Sequence, residues 1–194
     1  MARRTQNTMV FSFSVLLIAS LAPMQGQAQT AFVIGGGLAQ DCFLAVKRGA
    51  PNRSTRALCD RALESEPLSR HDLTATLVNR GITALRDKDG AKALADFNAA
   101  LRQDPAFSPA FLNRSGSYLL MGRWLDAKID ADTAIGIGLK EDEWAAHFNR
   151  AVALENLGDV PQAFASFQRA AALAPSQDIV QTELARFRVD RPAS

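Results

Sequence analysis

Through most of the chain the apolar residues recur with the spacing of a helix face, not at the alternate positions of a strand. In residues 91–101 (AKALADFNAAL), Leu94, Phe97 and Leu101 fall on one stripe. Residues 40–48 (QDCFLAVKR) and 55–67 (TRALCDRALESEP) read as two further helices. Residues 176–189 read as a last one, with Ile179, Val180, Leu184 and Phe187 on its inner side. Breakers separate these segments. Gly122 and Gly158 stand at turns, Gly136 and Gly138 at a helix end, and Pro105 and Pro175 where helices stop. Pro161 fits a first helical turn, where its missing N–H costs nothing. No alternating pattern lasts more than a few residues, so a sheet is not expected. The class read from the pattern is all-α.

The helices also repeat. Asn79-Arg80-Gly81, Asn113-Arg114-Ser115 and Asn149-Arg150-Ala151 share an Asn-Arg-small core, spaced by 34 and then 36 residues. Twelve residues after each small residue stands an alanine (Ala93, Ala127, Ala163), and seven further on another (Ala100, Ala134, Ala170). A period of this length marks stacked units, none of which can bury its apolar face alone. The period and residue types resemble the tetratricopeptide repeat family, whose unit is a helix–turn–helix. That resemblance implies a right-handed α-solenoid of three units, 74–107, 108–141 and 144–177. A divergent N-terminal helical hairpin (40–73) would precede them, and a capping helix (178–190) would close the C-terminal end. Small residues at the eighth, twentieth and twenty-seventh positions of each unit would let paired helices approach. Leu77, Phe97, Phe111, Tyr118, Leu154 and Phe167 would fill the space between them. The chain departs from the family at Ala131, where a large aromatic is usual, at Leu139, where proline is usual, and at His147, which replaces a large apolar residue. These departures bear on local helix angles.

The N-terminus has a different character. Arg3 and Arg4 precede an uncharged, mostly apolar run over 9–22 (MVFSFSVLLIASLA), followed by the small residues of Gly26-Gln27-Ala28. This is the build of a secretory signal peptide, residues 1–28, cleaved after Ala28. The run is shorter than the roughly 20 residues that span a bilayer. The expected location is therefore the periplasm or the exterior, with no membrane span once the signal is removed. Residues 29–39, which hold Gly35-Gly36-Gly37, read as a flexible linker and lack the lysine and Ser/Thr of a phosphate loop. Of 22 basic and 20 acidic side chains, two basic and no acidic ones lie in the leader, so the mature chain is neutral. Neither nucleic acid nor an anionic membrane is offered the concentrated basic field that it needs. Cys42 and Cys59 are the two cysteines. An even pair in an exported chain favours a disulfide over two buried thiols. On the divergent hairpin they would sit on its two facing helices.

In the family, the second, fifth, ninth and twelfth positions of each unit face a concave groove. Carried onto this chain, these are Ala75, Val78, Ile82 and Leu85, then Pro109, Leu112, Gly116 and Leu119, then Ala145, Phe148, Val152 and Glu155. The apolar ones, Val78, Ile82, Leu85, Leu112, Leu119, Phe148 and Val152, form the candidate partner-binding wall. It suits an amphipathic helix or an apolar peptide from a protein partner. The lysines and asparagines with which some family members hold acidic chaperone tails are absent. The alternative is that the wall is covered by residues 31–34 or by a second copy in a homodimer, because large exposed apolar patches are rare on monomers. Arg80, Arg114 and Arg150 recur at one repeat position. They read either as an anion ladder or, more plainly, as partners of nearby carboxylates with stems laid over apolar surface. The asparagines beside them are expected to bridge adjacent helices.

His71 and His147 are the only histidines, and neither has a nucleophile or a metal-ligand pattern at a suggestive spacing. No catalytic, metal or cofactor residue is assigned. The expected role is a protein-binding adaptor in an envelope assembly. A holdase-like periplasmic chaperone is the second reading, and a hydrolase with an unrecognised site a distant third.

Overall fold

The computed structural model describes residues 32–33, 36–49, 53–139 and 142–187. The expected signal peptide and its cleavage point lie outside the described residues. Within them run α1 (Leu38–Lys47), α2 (Arg53–Ser65), α3 (Arg70–Arg86), α4 (Gly90–Gln103), α5 (Ser108–Leu120), α6 (Trp124–Ile137), α7 (Glu143–Asn156), α8 (Val160–Leu173) and α9 (Asp178–Ala185). No strand occurs among the described residues. No helix there is long and apolar enough to cross a membrane. Successive helices pair as antiparallel hairpins, and alternate ones also touch, α1 with α3, α3 with α5 and α5 with α7. The architecture is an all-α helical-repeat solenoid closed by α9.

The turns inside the three repeat hairpins are one structure used three times. At each, the chain closes a six-residue loop at the helix end: Asp89 N–H donates to Ala84 O, Arg123 N–H to Tyr118 O and Asp159 N–H to Leu154 O. Such a Schellman-type end needs one residue in the left-handed region, where glycine carries no Cβ penalty. Gly122 (φ 69°) and Gly158 (φ 86°) meet that need, but the first turn uses Lys88 at φ 60°. After the second turn α6 follows Arg123 with no side-chain cap, but the helices after the other two begin at aspartates: Asp89 accepts from Lys92 N–H, and Asp159 from Gln162 N–H. Ser69 does the same for α3, accepting from Asp72 N–H.

The small residues of the repeat lie where helices cross. Ala93, Ala100, Ala127, Ala134, Ala163 and Ala170 are all wholly buried. A Cβ on Gly81 would come within 2.5 Å of the Phe97 ring, so glycine is what lets that ring lie across α3. Where proline ends the other second helices, α6 ends at Ile137 and Gly138 (φ 102°). Leu139 then turns inward onto Leu112, Ala134 and Ala146. At the C-terminal end Val180 is buried, and Phe187 meets Phe164 and Phe167 at 5.7 and 5.5 Å.

The N-terminal hairpin is joined by a disulfide between Cys42 and Cys59, with Cα atoms 4.9 Å apart. Its entry differs from the flexible linker expected over 29–39. α1 already begins at Leu38, and Gly37 is its N-cap at φ 90°. No side chain in the cap itself serves the first N–H groups. Glu66, just past α2, reaches back and accepts from Leu38 and Ala39 N–H. A carboxylate at a helix N-terminus also meets the positive end of the helix dipole. A Cβ at Gly37 would stand 2.3 Å from Glu66 Oε1, so this glycine is fixed by contact as well as by φ.

Candidate functional site: the groove wall and the arginine ladder

The residues assigned to an open groove are mostly inside the protein. Val78 and Ile82 are wholly buried in one cluster with Ala39, Cys42, Phe43 and Val46, which places α1 over them. Leu112 (3% exposed) packs with Ala134, Leu139 and Ala146, and Leu119 with Ala127 and Ala153. Phe148 stands edge-on to Phe167 at 5.5 Å. Leu85 and Val152 are half-buried, Leu85 lying 3.5 Å from where a Gly116 Cβ would be. An exposed apolar wall at these seven positions is therefore corrected. The first helices α3, α5 and α7 pack side by side, and α1 closes the N-terminal end. Of the segment expected as a cover, Val33 is buried in the same cluster, while Phe32 is exposed and edge-on to Phe43 at 5.4 Å. α1, which the repeat pattern did not assign to that task, covers Val78 and Ile82, while Leu112, Leu119 and Phe148 are enclosed by residues of α6, α7 and α8.

The recurring arginines form a ladder of internal clamps. Arg80 donates through Nε to both oxygens of Asp96 at 3.1 Å, through Nη2 to Asp96 at 2.6 Å, and through Nη1 to Asp60 at 3.0 Å. Arg114 repeats the geometry, with Nε and Nη2 on Asp130 at 2.6 and 2.8 Å and Nη1 on Asn98 at 2.8 Å. Its guanidinium lies over the Phe111 ring, 5.2 Å from the centroid. Hydrogen bonds from Asp130 hold Arg114 more firmly protonated than usual against the opposing effect of burial. For Arg80 burial again opposes the charge, and Asp96 with Asp60 outweighs it. Each clamp ties the first helix of a unit to its own second helix and to the preceding unit. The carboxylate stands sixteen residues after its arginine, a spacing visible in the sequence that pairs Arg80 with Asp96 and Arg114 with Asp130. Of the asparagines beside them, Asn149 bridges helices as expected, donating across to Ser115 Oγ at 2.7 Å, while Asn113 donates to Pro109 O in its own helix.

Residues 144–177 match the family profile described as tetratricopeptide repeat, with the bounds of the third unit. No curated protein matches significantly. Among solved structures, the Arabidopsis OM64 TPR domain superposes with a TM-score of 0.58 at 23% identity, covering 62% of this chain and 98% of that one. The first TPR domain of human RPAP3 gives 0.56 at 19%, covering 61% and 91%. The first TPR of Spaghetti (RPAP3), bound to the HSP90 peptide SRMEEVD, gives 0.55 at 18%, covering 59% and 91%. The fold is the tetratricopeptide-repeat fold.

Within this tetratricopeptide-repeat fold the histidines have separate settings. His71 is exposed beside the Ser69–Asp72 cap, its Nδ1 3.4 Å from Asp72 Oδ1 and its ring edge-on to Phe107. His147 is buried in α7, with Nε2 3.5 Å from Glu143 Oε1. Burial lowers the pKa of His147, Arg150 and Arg169 lower it further, and Glu143 works in the other direction.

Proposed function

We propose that this protein is an exported tetratricopeptide-repeat scaffold that binds a protein or peptide partner in the cell envelope. The observation that carries the reading is the stack of paired helices, a fold whose solved examples include one bound to a peptide. A cross-linked N-terminal hairpin suits an oxidising compartment. The neutral charge of the chain after residue 28 suits a protein partner better than a nucleic acid. With most of the groove positions buried, partner contact falls to the faces that remain exposed. The holdase reading draws on one of these: Leu125 and Ile129, one turn apart on α6, are 59% and 51% exposed.

The full chain, tagged at its C-terminus and expressed in a bacterial host, tests both parts. Mass spectrometry of the purified product should give a chain beginning at Gln29, and fractionation should place it outside the cytoplasm. Cross-linked pull-down should yield one stoichiometric partner. Many substoichiometric clients would favour the holdase instead, and an uncleaved cytoplasmic chain would overturn the export assignment.

A further inference from the structure

The third rung of the arginine ladder lacks its carboxylate. Arg150 stands where Arg80 and Arg114 stand, but sixteen residues on is Ser166 in place of Asp96 and Asp130. Ser166 is buried, and its hydroxyl donates to Gln162 O of its own helix at 2.8 Å. Asp132 of the preceding unit, at the repeat position of Asn98, lies 2.9 Å from Arg150 Nε as an ion pair, but the two do not align as a hydrogen bond. Among the described residues neither Nη of Arg150 makes a hydrogen bond. Arg169, which lines the same space, has a single carboxylate contact among the described residues, 3.6 Å to Glu143.

An open cavity of about 380 Å³ occupies this place, lined by His147, Arg150, Gln162, Ala165, Ser166 and Arg169. His147 in its wall is 8% exposed, and its Nδ1 has no hydrogen-bond partner. Two arginines thus line a space beside Ser166, the position at which the other two units hold an aspartate. The fork of a guanidinium matches the two oxygens of a carboxylate, and such paired bonds are among the stronger ones proteins make. None of these residues is at a groove position of its unit.

We propose that this cavity is a carboxylate-binding site, which takes an acidic side chain or free C-terminus of a peptide in place of the missing aspartate. It rests on the partner-binding reading only for the source of the carboxylate. The chemistry is tested without any partner.

The test is a titration of the full chain with sodium glutarate at constant ionic strength, following the side-chain Nε–H signals of Arg150 and Arg169 by NMR, with sodium sulfate as the comparison anion. Wild type should show saturable shifts with glutarate and weaker ones with sulfate. Ser166→Asp should restore the internal clamp. Its Tm should rise by about 2–4 °C, and its glutarate affinity should fall about tenfold or more, as for loss of one charged hydrogen-bonded contact. Ser166→Asn, of similar size without the charge, should bind like wild type. Two capped tripeptides, one with a glutamate side chain and an amidated end, the other with a free C-terminal carboxylate only, should bind more tightly than glutarate if the source is a peptide. Absence of a saturable glutarate shift, an equal response to sulfate, unchanged binding in Ser166→Asp, or unfolding of that variant would each overturn the assignment. Peptides no tighter than glutarate would overturn the peptide source while leaving the partner-binding reading to its own pull-down.

Discussion

Leu112 separates the two accounts of the apolar face most directly. Its side chain is 3% exposed, enclosed by Ala134, Leu139 and Ala146 with Phe111, Ile135 and Ala145 at the edge. Leu112→Ala removes three carbons, worth about 2.4 kcal/mol at roughly 0.8 kcal/mol for each buried methylene. The space left behind adds to this, for a total of about 3–4 kcal/mol. At roughly 2–4 °C for each kcal/mol in a chain of this size, Tm should fall by roughly 6–16 °C. Leu112→Glu should fall further, because it places an unpaired carboxylate in the same enclosure. Thermal and urea unfolding followed by helical circular dichroism measure both, with the urea slope unchanged if only stability has moved. An open groove makes the opposite demand, with unaltered melting and lost partner capture. A Leu112→Ala protein melting within about 1 °C of wild type, well under the expected shift, would refute the enclosure and return Leu112 to the surface.

Other substitutions probe the remaining elements. Lys88→Gly should stabilise by up to about 1 kcal/mol, since relief of a left-handed lysine exceeds the extra chain entropy of glycine; a lower Tm would contradict the φ of 60°. Ala134→Leu should cost about 1–3 kcal/mol by overpacking a wholly buried crossing, and unchanged melting would refute the repeat register. Reduction of the Cys42–Cys59 bond, which links residues 17 apart, should cost about 3 kcal/mol on a loop-entropy account. Amide exchange should then quicken in α1 and α2 before α5 to α8, and a uniform change would count against it. His147 has a lowered pKa in the fold, so the unfolded chain takes up its proton first. Its contribution is complete above about pH 6.5 and is lost as pH falls below that value. The drop in Tm between pH 7.5 and 5.5 should shrink in His147→Gln, and an equal drop would exclude the residue as a source.

The parts legible in the sequence are those set by local chemistry or by the period. Gly122 and Gly158 marked turns because only glycine is comfortable there, and the alanines marked crossings because only a small side chain fits. Lys88 escaped notice at the same turn, since a lysine carries no signal for a left-handed backbone. The cap on α1 was illegible for another reason: Glu66 lies 28 residues from the N–H of Leu38, and no local motif connects them. The groove failed at a different level. A repeat position tells which face a residue shares, but not which other helix lies on that face, and α1 belongs to the divergent hairpin where the pattern is weakest. The arginine clamps stood in the sequence as a constant step from Arg80 to Asp96 and from Arg114 to Asp130.

Helices that touch mainly their neighbours along the chain come apart as a row, from whichever end is held less firmly. Here the two ends are unequal. The first hairpin is sewn shut by a covalent bond, while α9 is held by the packing of residues such as Val180 and Phe187. Unravelling therefore has a direction, starting at the C-terminal helix and running back toward the N-terminal hairpin. A pull that draws the two ends apart spends itself on the later repeats first and leaves the cross-linked N-terminal hairpin as the last folded piece.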